Sequence, residues 1–405
     1  MSPTPLTIMD CNEFWSPSGG GVRRYHLQKM AYFRALADTD AAIRHVMVMP
    51  DAHARTETTG PATVIEHVPA FRFPGNWEYR LCPSVAALRA VIRKHRPDVI
   101  EIGSPYLLPG RIRAALKGLA AEGIAPKLVG FWHADFPVTY VERFFGKLGK
   151  APGTWAAALA WWYARRQYNR MDAVFVSSRV IMERMERHGI RSVHYVPLGV
   201  DIDVFHPGRR DDARAARLKA GLPGRLTIFF GHRFSEEKGL RTLLAAYPLL
   251  CGRLGHEPAV VFAGTGPDLD RVQAAVRAHG HMQYIGFVRE PADMAAWYAS
   301  TDMGLALSGW ETFGLSIVEA LACGQILVAA DQGAAREHVE QSGAGLVVPV
   351  ADADALVDAV ETLWRDRASW PERARTAVAY ARGLTWDQCF ARELKLYREL
   401  HGARS

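Results

Sequence analysis

Two carboxylates stand eight residues apart in Ser308-Gly-Trp-Glu311-Thr-Phe313-Gly314-Leu315-Ser-Ile-Val-Glu319-Ala-Leu, on either side of a Phe-Gly pair. Upstream, Met303 to Leu307 reads as a buried strand; downstream, Leu315 to Ala322 reads as a helix. Glu311 therefore belongs to a strand-to-helix loop, Gly314 to the helix start, and Glu319 to an inward-pointing position on the second turn. A helix N-terminus presents backbone N–H groups without intrahelical partners and the positive end of the helix dipole, which suits a phosphate. A carboxylate on each side of that end can accept hydrogen bonds from a sugar and from a ribose. The combination suits a nucleotide-sugar.

Other residues of the same chemistry follow other strands. Arg233 and Lys238, five apart in Gly231-His-Arg-Phe-Ser-Glu-Glu-Lys-Gly239, can neutralise a diphosphate leaving group. Their ordinary alternative is solvated loop cations paired with Glu236 and Glu237. Gly264-Thr-Gly266-Pro lacks the third glycine of a dinucleotide fingerprint and by itself reads as a tight turn. In Ser18-Gly19-Gly20-Gly21-Val22, the glycines allow close backbone approach to a ligand, or simply a turn. His133, in Phe131-Trp-His-Ala-Asp135, ends a strand; a lone histidine there is more often structural, and Asp135 suits a turn cap.

The elements that must position these groups alternate. Apolar runs at Leu6–Met9, His45–Met49, Val99–Ile102, Lys127–Phe131, Ala173–Ser177 and His194–Pro197 are separated by helix-like stretches. A second series runs Leu226–Phe230, Ala259–Ala263, Met282–Phe287, Met303–Leu307, Ile326–Ala330 and Gly345–Val348. Near-continuous apolar strands alternating with helices imply parallel sheets covered on both faces. The fold class is α/β, with two doubly wound halves. Ligands of such sheets bind beyond the C-terminal strand ends, so a cleft between the halves is expected. The expected boundaries are 1–198, a charged linker at 199–224 with Pro207 and Pro223, and 225–385, with a last helix over 386–405.

Composition narrows the classes. The chain has 405 residues, 49% apolar and 22% charged, ordinary for a globular protein of two or three domains. Five scattered cysteines without a Cys-x-x-Cys pair argue against structural zinc and a disulfide framework, and for a reducing cytoplasm. Met1 to Asn12 lacks a signal-peptide pattern, and the longest apolar run, near Ala156 to Ala164, is too short to span a bilayer. A net charge of +7 suits phosphorylated substrates or an anionic membrane and does not imply nucleic acid. Residues 139–170 carry six cations against Glu142, interleaved with Phe144, Phe145, Trp155, Trp161, Trp162 and Tyr163. That mixture fits the interface of an anionic membrane or, equally, a core helix.

The string Glu311-x-Phe313-Gly314-Leu315-x-x-x-Glu319-Ala resembles the motif of the retaining GT-B glycosyltransferases of family 4 (group 1). Other blocks resembling the family flank it in order: the glycine loop before Val22, Pro197-Leu-Gly199-Val-Asp201, the Arg233–Lys238–Gly239 block, Gly264-x-Gly266-Pro267 and Gly333-Ala-Ala-Arg-Glu337. Departures are Gln325 where a proline is common and Ala334 where a second glycine is common. The resemblance implies a GT-B fold with two Rossmann-like domains facing a central cleft, its last helix crossing back onto the first domain. It implies hexosyl transfer with retention from a nucleoside-diphosphate sugar, GDP-mannose or UDP-glucose, to a hydroxyl acceptor. Arg233 and Lys238 would hold the pyrophosphate, His133 would lie near the transferred sugar, and Glu311 would bind the sugar hydroxyls. Gly20, Gly21, Gly264, Gly266, Phe313, Gly314, Leu315 and Glu319 would line the donor. No cofactor or metal is expected beyond the donor, and no Asp-x-Asp metal site of the metal-dependent transferases is anticipated.

Phe73-Pro-Gly-Asn-Trp-Glu-Tyr-Arg80 and Trp132-His133-Ala-Asp135-Phe-Pro137 resemble the branch that glycosylates diacylglycerol or phosphatidylinositol lipids. A lipid acceptor and a cytoplasmic enzyme peripheral to the inner face of the membrane follow as expectations. A GT-B sugar phosphorylase and a non-catalytic nucleotide-sugar-binding protein stay open. A glycosidase is poorer, since Glu311 and Glu319 flank one helix start beside phosphate-binding cations. A dinucleotide oxidoreductase is disfavoured by the missing Gly-x-Gly-x-x-Gly.

Overall fold

The computed structural model describes residues 5–13, 15, 20–37, 43–60, 62–73, 76–81, 83–220 and 222–402, with only the backbone of 73 and 76–79. The chain divides into two compact units. Unit 1 is Met1–Pro197 with Trp386–Ser405, and unit 2 is Leu198–Thr385.

Unit 1 holds β1 (Leu6–Cys11), β2 (Ile43–Asp51), β3 (Arg55–Thr58), β4 (Thr63–Pro69), β5 (Phe71–Phe73), β6 (Asn76–Leu81), β7 (Val99–Ile102), β8 (Lys127–Phe131), β9 (Ala173–Val176) and β10 (Val193–Tyr195). Eight of them form one sheet in the order β10-β9-β8-β7-β1-β2-β4-β3. All neighbours are parallel except β3, which pairs antiparallel with β4. β5 and β6 form a separate hairpin. The strand β4 is absent from the pattern of apolar runs because Glu66 and His67 interrupt it. Its burial is made tolerable by pairing: Glu66 takes hydrogen bonds from His95 at 2.6 Å and from Lys94 at 2.7 Å.

The final helix, Trp386–Gly402, packs into unit 1 through a buried polar knot. Lys29, on the inner stripe of the helix Gly21–Ala37, is fully buried and lies 3.0 Å from each of Asp10, Glu101 and Glu393. Its ammonium also donates to Tyr25 at 3.0 Å and Tyr397 at 2.9 Å. Three carboxylates around one cation need further compensation. His45 bonds Asp10 at 2.7 Å, and burial pushes the Glu101 carboxyl above its ordinary value against the pull of Lys29. Removing one partner would strand a buried charge, which is how the knot ties residues nearly four hundred apart into one body.

Unit 2 holds β11 (Thr227–Gly231), β12 (Ala259–Ala263), β13 (Met282–Tyr284), β14 (Met303–Ala306), β15 (Ile326–Ala330) and β16 (Gly345–Val348). They form one all-parallel sheet in the order β13-β12-β11-β14-β15-β16. Strands such as Ile-Leu-Val-Ala-Ala are buried along their whole length because helices cover both faces. Residues 199–224, read from sequence as a linker, lie within unit 2: Val200 bridges to Thr385, and the helix Asp212–Leu218 starts on a cap in which Asp211 accepts from the Arg214 amide at 2.9 Å. Gln325, at the position where the family commonly carries proline, is buried and donates to Thr301 at 2.6 Å.

Candidate functional site

In each sheet the strand order reverses once, and such a reversal leaves a crevice where the loops diverge at the C-terminal strand ends. In unit 2 the reversal falls between β11 and β14. The loop after β11 carries Arg233 and Lys238; the loop after β14 carries Glu311, Phe313 and Gly314.

The two loops are locked together. Gly239 has φ +76°, and a Cβ there would lie 2.4 Å from the Leu307 Cβ, so only glycine lets the first loop rest on the second. Lys238 then pairs with Glu311 through a short charge-assisted hydrogen bond. This is not the pairing with Glu236 and Glu237 that their adjacency offered: Glu237 accepts from Ser235 at 2.6 Å, and Glu236 lies 4.0 Å from Arg241. Burial would raise the Glu311 carboxyl, but the Lys238 ammonium outweighs it and holds the carboxyl below its ordinary value. Arg233 is exposed and, among the described residues, has no ion-pair partner.

The backbone of Glu311 is held as well. Its carbonyl accepts from the Ala334 amide at 3.0 Å, at the start of the helix Gly333–Ser342. Gly314, at φ +85°, caps the helix Leu315–Ala322 without any side-chain hydrogen bond; its carbonyl accepts from the Ile317 amide at 2.9 Å, and the Leu315 and Ser316 amides are not taken by a side-chain cap. Glu319 is buried on the second turn. Gly264 and Gly266 serve the Arg233 loop from behind: a Cβ on Gly264 would lie 2.1 Å from the His232 carbonyl oxygen, and one on Gly266 2.3 Å from that of Phe234. The Phe234 amide donates to Thr265 at 2.9 Å.

Two histidines that the motifs did not single out complete this site. His338 donates from Nε2 to the Phe313 carbonyl at 2.7 Å and accepts at Nδ1 from the Tyr380 hydroxyl at 2.8 Å, which fixes the loop just before Gly314. His232 donates to the Leu305 carbonyl at 2.7 Å. Burial pushes both down to about 4, for His232 with help from Lys238, so both are neutral near pH 7. The positive charge of the site therefore rests on Arg233, Lys238 and the helix start. Only the long sequence separation hid His338, which faces a residue 25 positions earlier.

In unit 1 the reversal falls between β1 and β7. Gly20 and Gly21 lie at the start of the helix after β1, and Ser18 and Gly19 of the same loop lie outside the described residues. A Cβ on Gly20 would meet nothing within 4 Å. His133 follows β8, its ring stacked on Phe131 at 4.2 Å and edge-on to Tyr25 at 4.8 Å. A Cβ on Gly103, just after β7, would lie 3.3 Å from the His133 ring and 3.5 Å from Asn12. Asn12 in turn meets His26 at 2.7 Å, and Ser104 donates to Glu13 at 2.7 Å. Burial holds His133 well below its ordinary value and His26 down at about 3, so both rings are neutral. Asn12, Glu13, His26 and Gly103 belong to no motif recognised in the sequence. Asp135 does not cap the following turn with its side chain; it is buried in an ion pair with Arg184.

Asp-x-Asp strings occur at 38–40, which lies outside the described residues, and at Asp201–Asp203, Asp268–Asp270 and Asp352–Asp354. Asp268 pairs with Arg271 at 3.2 Å and Arg241 at 3.5 Å. Asp201 accepts from the amides of Asp203 and Val204, and Asp352 caps a helix by accepting from Ala355 at 2.9 Å. The Asp201 and Asp352 carboxylates are thus committed to backbone. Among the described residues no cluster of three His, Cys, Asp or Glu is arranged to hold a metal ion.

A doubly wound pair of α/β units whose second unit gathers a carboxylate, two cations and an uncapped helix start at its strand-order reversal defines the GT-B class of glycosyltransferases. Comparison with known proteins bears this out. Residues 20–204 match the model of Glycosyltransferase Family 4, and residues 213–383 match that of Glycosyl transferases group 1. The chain belongs to this family of glycosyltransferases. It is 28% identical over 397 residues, 95% of this chain and 94% of the other, to a GDP-mannose-dependent alpha-(1-6)-phosphatidylinositol dimannoside mannosyltransferase of Mycobacterium tuberculosis. It is 24% identical to a GDP-mannose-dependent alpha-mannosyltransferase of Corynebacterium glutamicum, covering 98% of this chain and 89% of the other. Among solved structures, sucrose-phosphate synthase from Thermosynechococcus elongatus superposes with a TM-score of 0.75 at 19% identity, covering 98% of this chain and all of that one, which establishes the shared fold. The named relatives are transferases, so the phosphorylase and binding-only readings are not favoured.

Proposed function

We propose that the protein transfers mannose, with retention, from GDP-mannose to a hydroxyl of a phosphatidylinositol-type lipid or lipid-linked glycan, without a metal ion and in peripheral contact with an anionic membrane. The observation that carries the donor half is the convergence of Glu311, Lys238, Arg233 and the Gly314 helix start at one strand-order reversal. The choice of GDP-mannose over UDP-glucose, and of a lipid acceptor, is supported by the relatives' named activities and the extent of the match. Among the described residues no helix is long and apolar enough to cross a membrane.

The proposed chemistry follows from charge. As the C1–O bond to the diphosphate breaks, negative charge grows on the leaving group and an oxocarbenium-like centre forms at C1. Arg233 and Lys238 stabilise the diphosphate, together with amides of the uncapped helix start. They provide the positive charge that a divalent cation supplies elsewhere. Glu311, held ionised by Lys238, accepts hydrogen bonds from sugar hydroxyls and keeps the ammonium in place. Glu319 is assigned to the ribose. Phe313, Leu315, Gly264, Gly266, Gly20 and Gly21 are assigned to the donor pocket, and His133 to the neighbourhood of the transferred sugar. The acceptor attacks the same face, and its proton passes to the leaving phosphate.

The test is transfer from labelled GDP-mannose and UDP-glucose to phosphatidylinositol in vesicles, with and without EDTA, followed by NMR of the new anomeric linkage. An α-linked mannolipid formed equally well in EDTA is the expected result. Transfer only from UDP-glucose, a β-linkage, or loss of activity in EDTA restored by magnesium would each overturn the corresponding part.

A further inference from the structure

We propose that the outer face of the helical hairpin spanning residues 137–168 docks on an anionic phospholipid bilayer, and that Arg165, Arg166, Arg170 and Arg191 grip the headgroup phosphates there. The proposal rests on the lipid-acceptor reading above and gives it a surface.

The hairpin consists of a π-helical turn Pro137–Glu142, a short helix Arg143–Gly146 and the long helix Lys150–Tyr168. Gly153 lets the arms touch: a Cβ there would lie 3.0 Å from the Gly146 Cα and 3.1 Å from the Glu142 carbonyl oxygen. The long helix is apolar on two faces. Its inner face, with Ala157, Ala160, Trp161, Ala164 and Tyr168, is buried in the core of unit 1, Trp161 stacking on Trp132 at 5.7 Å. That face alone satisfies the core. The outer face carries Trp155, Leu159 and Trp162, at i, i+4 and i+7, exposed by 79%, 65% and 51%. Phe144 and Leu148, on the other arm and the tip, are similarly exposed. A surface helix ordinarily turns polar residues outward, and contiguous exposed apolar side chains mark an interaction site.

The charge around that stripe selects a membrane. Lys147 and Lys150 stand at the tip, and Arg165, Arg166 and Arg170 at the far end, with Glu142 the one acidic residue of the hairpin. At the far end lies a cavity of about 630 Å³, lined by the four arginines, Trp162 and Glu186. Among the described residues none of the four arginines has an ion-pair partner, although Glu186 stands at the rim. The site is built rather than incidental. Asn169 donates to the Gly189 carbonyl at 2.9 Å and accepts from the Arg191 amide at 2.9 Å, which fixes the Arg191 backbone beside the helix end. The Arg166 guanidinium lies 5.9 Å from the Trp162 ring centre. Exposed tryptophans with adjoining cations are the chemistry of the lipid interface, where rings sit at headgroup depth and guanidinium forks engage phosphate. A helix of 19 residues is roughly 28 Å long and lies along such a surface with its inner face still in the core.

The experiment is flotation of the full chain with vesicles of phosphatidylcholine alone and of phosphatidylcholine with phosphatidylinositol. Two variants are compared, Trp155→Ser/Leu159→Ser and Arg166→Gln/Arg170→Gln/Arg191→Gln, with thermal stabilisation by GDP as the check on folding. Transfer is measured in parallel to lipid in vesicles and to the deacylated, water-soluble headgroup. The expected result is binding that needs the anionic lipid and falls roughly tenfold or more in each variant, with transfer to vesicle lipid lost and transfer to the soluble headgroup kept. Binding that ignores lipid charge, is absent, or is unchanged in both variants overturns the proposal, as does vesicle-independent self-association through this face in place of binding. Variant-sensitive vesicle binding with no transfer to either acceptor leaves the docking surface standing and overturns the lipid-acceptor reading instead.

Discussion

Replacing Lys238 by Met and Glu311 by Gln, singly and together, separates what their pairing does for the fold from what it does for transfer. The two side chains are 25% and 18% exposed, so the pair is only partly screened. At an effective dielectric near 20, two unit charges about 4 Å apart attract by about 4 kcal/mol, and desolvation takes back much of this. A coupling of about 1–2 kcal/mol in a double-mutant cycle is the expected remainder. Each single variant leaves one charge without its partner and should lose about 1–3 kcal/mol. Spread over the 188 residues from Leu198 to Thr385, that is roughly 2–4 °C of melting temperature per kcal/mol. The double variant should recover part of the loss. Activity should behave differently. Loss of Lys238 removes a cation aimed at the growing diphosphate charge, which costs roughly 10²–10³ in kcat. Loss of the Glu311 charge weakens its hold on the sugar hydroxyls, and the double variant should be no more active than Lys238→Met alone. The assay pairs differential scanning fluorimetry with initial rates from labelled donor. Recovery of activity together with stability in the double variant would refute the reasoning, because it would make the pair purely structural. So would a Lys238→Met protein that turns over normally.

Gly264→Ala should be severely destabilising, by about 2–4 kcal/mol, since φ is +138° and the new Cβ would sit 2.1 Å from the His232 carbonyl oxygen. Gly280→Ala, with nothing within 4 Å of its Cβ, is the control; equal melting temperatures would show that the Arg233 loop is not buttressed as described. The pH dependence of stability isolates His338. Its folded value, about 4, lies below its unfolded one, so the unfolded chain binds the proton first and stability falls as pH drops through the window between roughly 6.5 and 4. By pH 5 this one group costs roughly 2 kcal/mol. His338→Gln, whose amide can still donate to the Phe313 carbonyl, should lose less stability than the parent between pH 7.5 and pH 5. Parallel acid curves would mean that His338 is not held neutral.

Much of this protein was legible in its residues. Alternating apolar runs identified both parallel sheets, because a strand buried on two faces must be apolar throughout, as Ile326–Ala330 is. The strand Thr63–Pro69 escaped because Glu66 and His67 lie in its middle, and only their partners, far along the chain, make that affordable. The Glu311–Glu319 string was readable because a strand, loop and helix start follow one another in sequence. The fold of the second half therefore needed only local rules.

Tertiary structure decided what local rules do not reach. Lys238 has two carboxylates beside it in sequence and pairs instead with Glu311, 73 residues away, because the β11 and β14 loops meet at the strand-order reversal. Lys29 gathers Asp10, Glu101 and Glu393 from a strand, another strand and the last helix. Between its charged ends the helix Lys150–Tyr168 is apolar on nearly every side from Trp155 to Ala164, and only packing shows which face enters the core and which is left outside. In each case the residue type was visible, but the partner was not. Residue types and short spacings are properties of the chain, whereas burial and pairing depend on which distant segments the fold brings together.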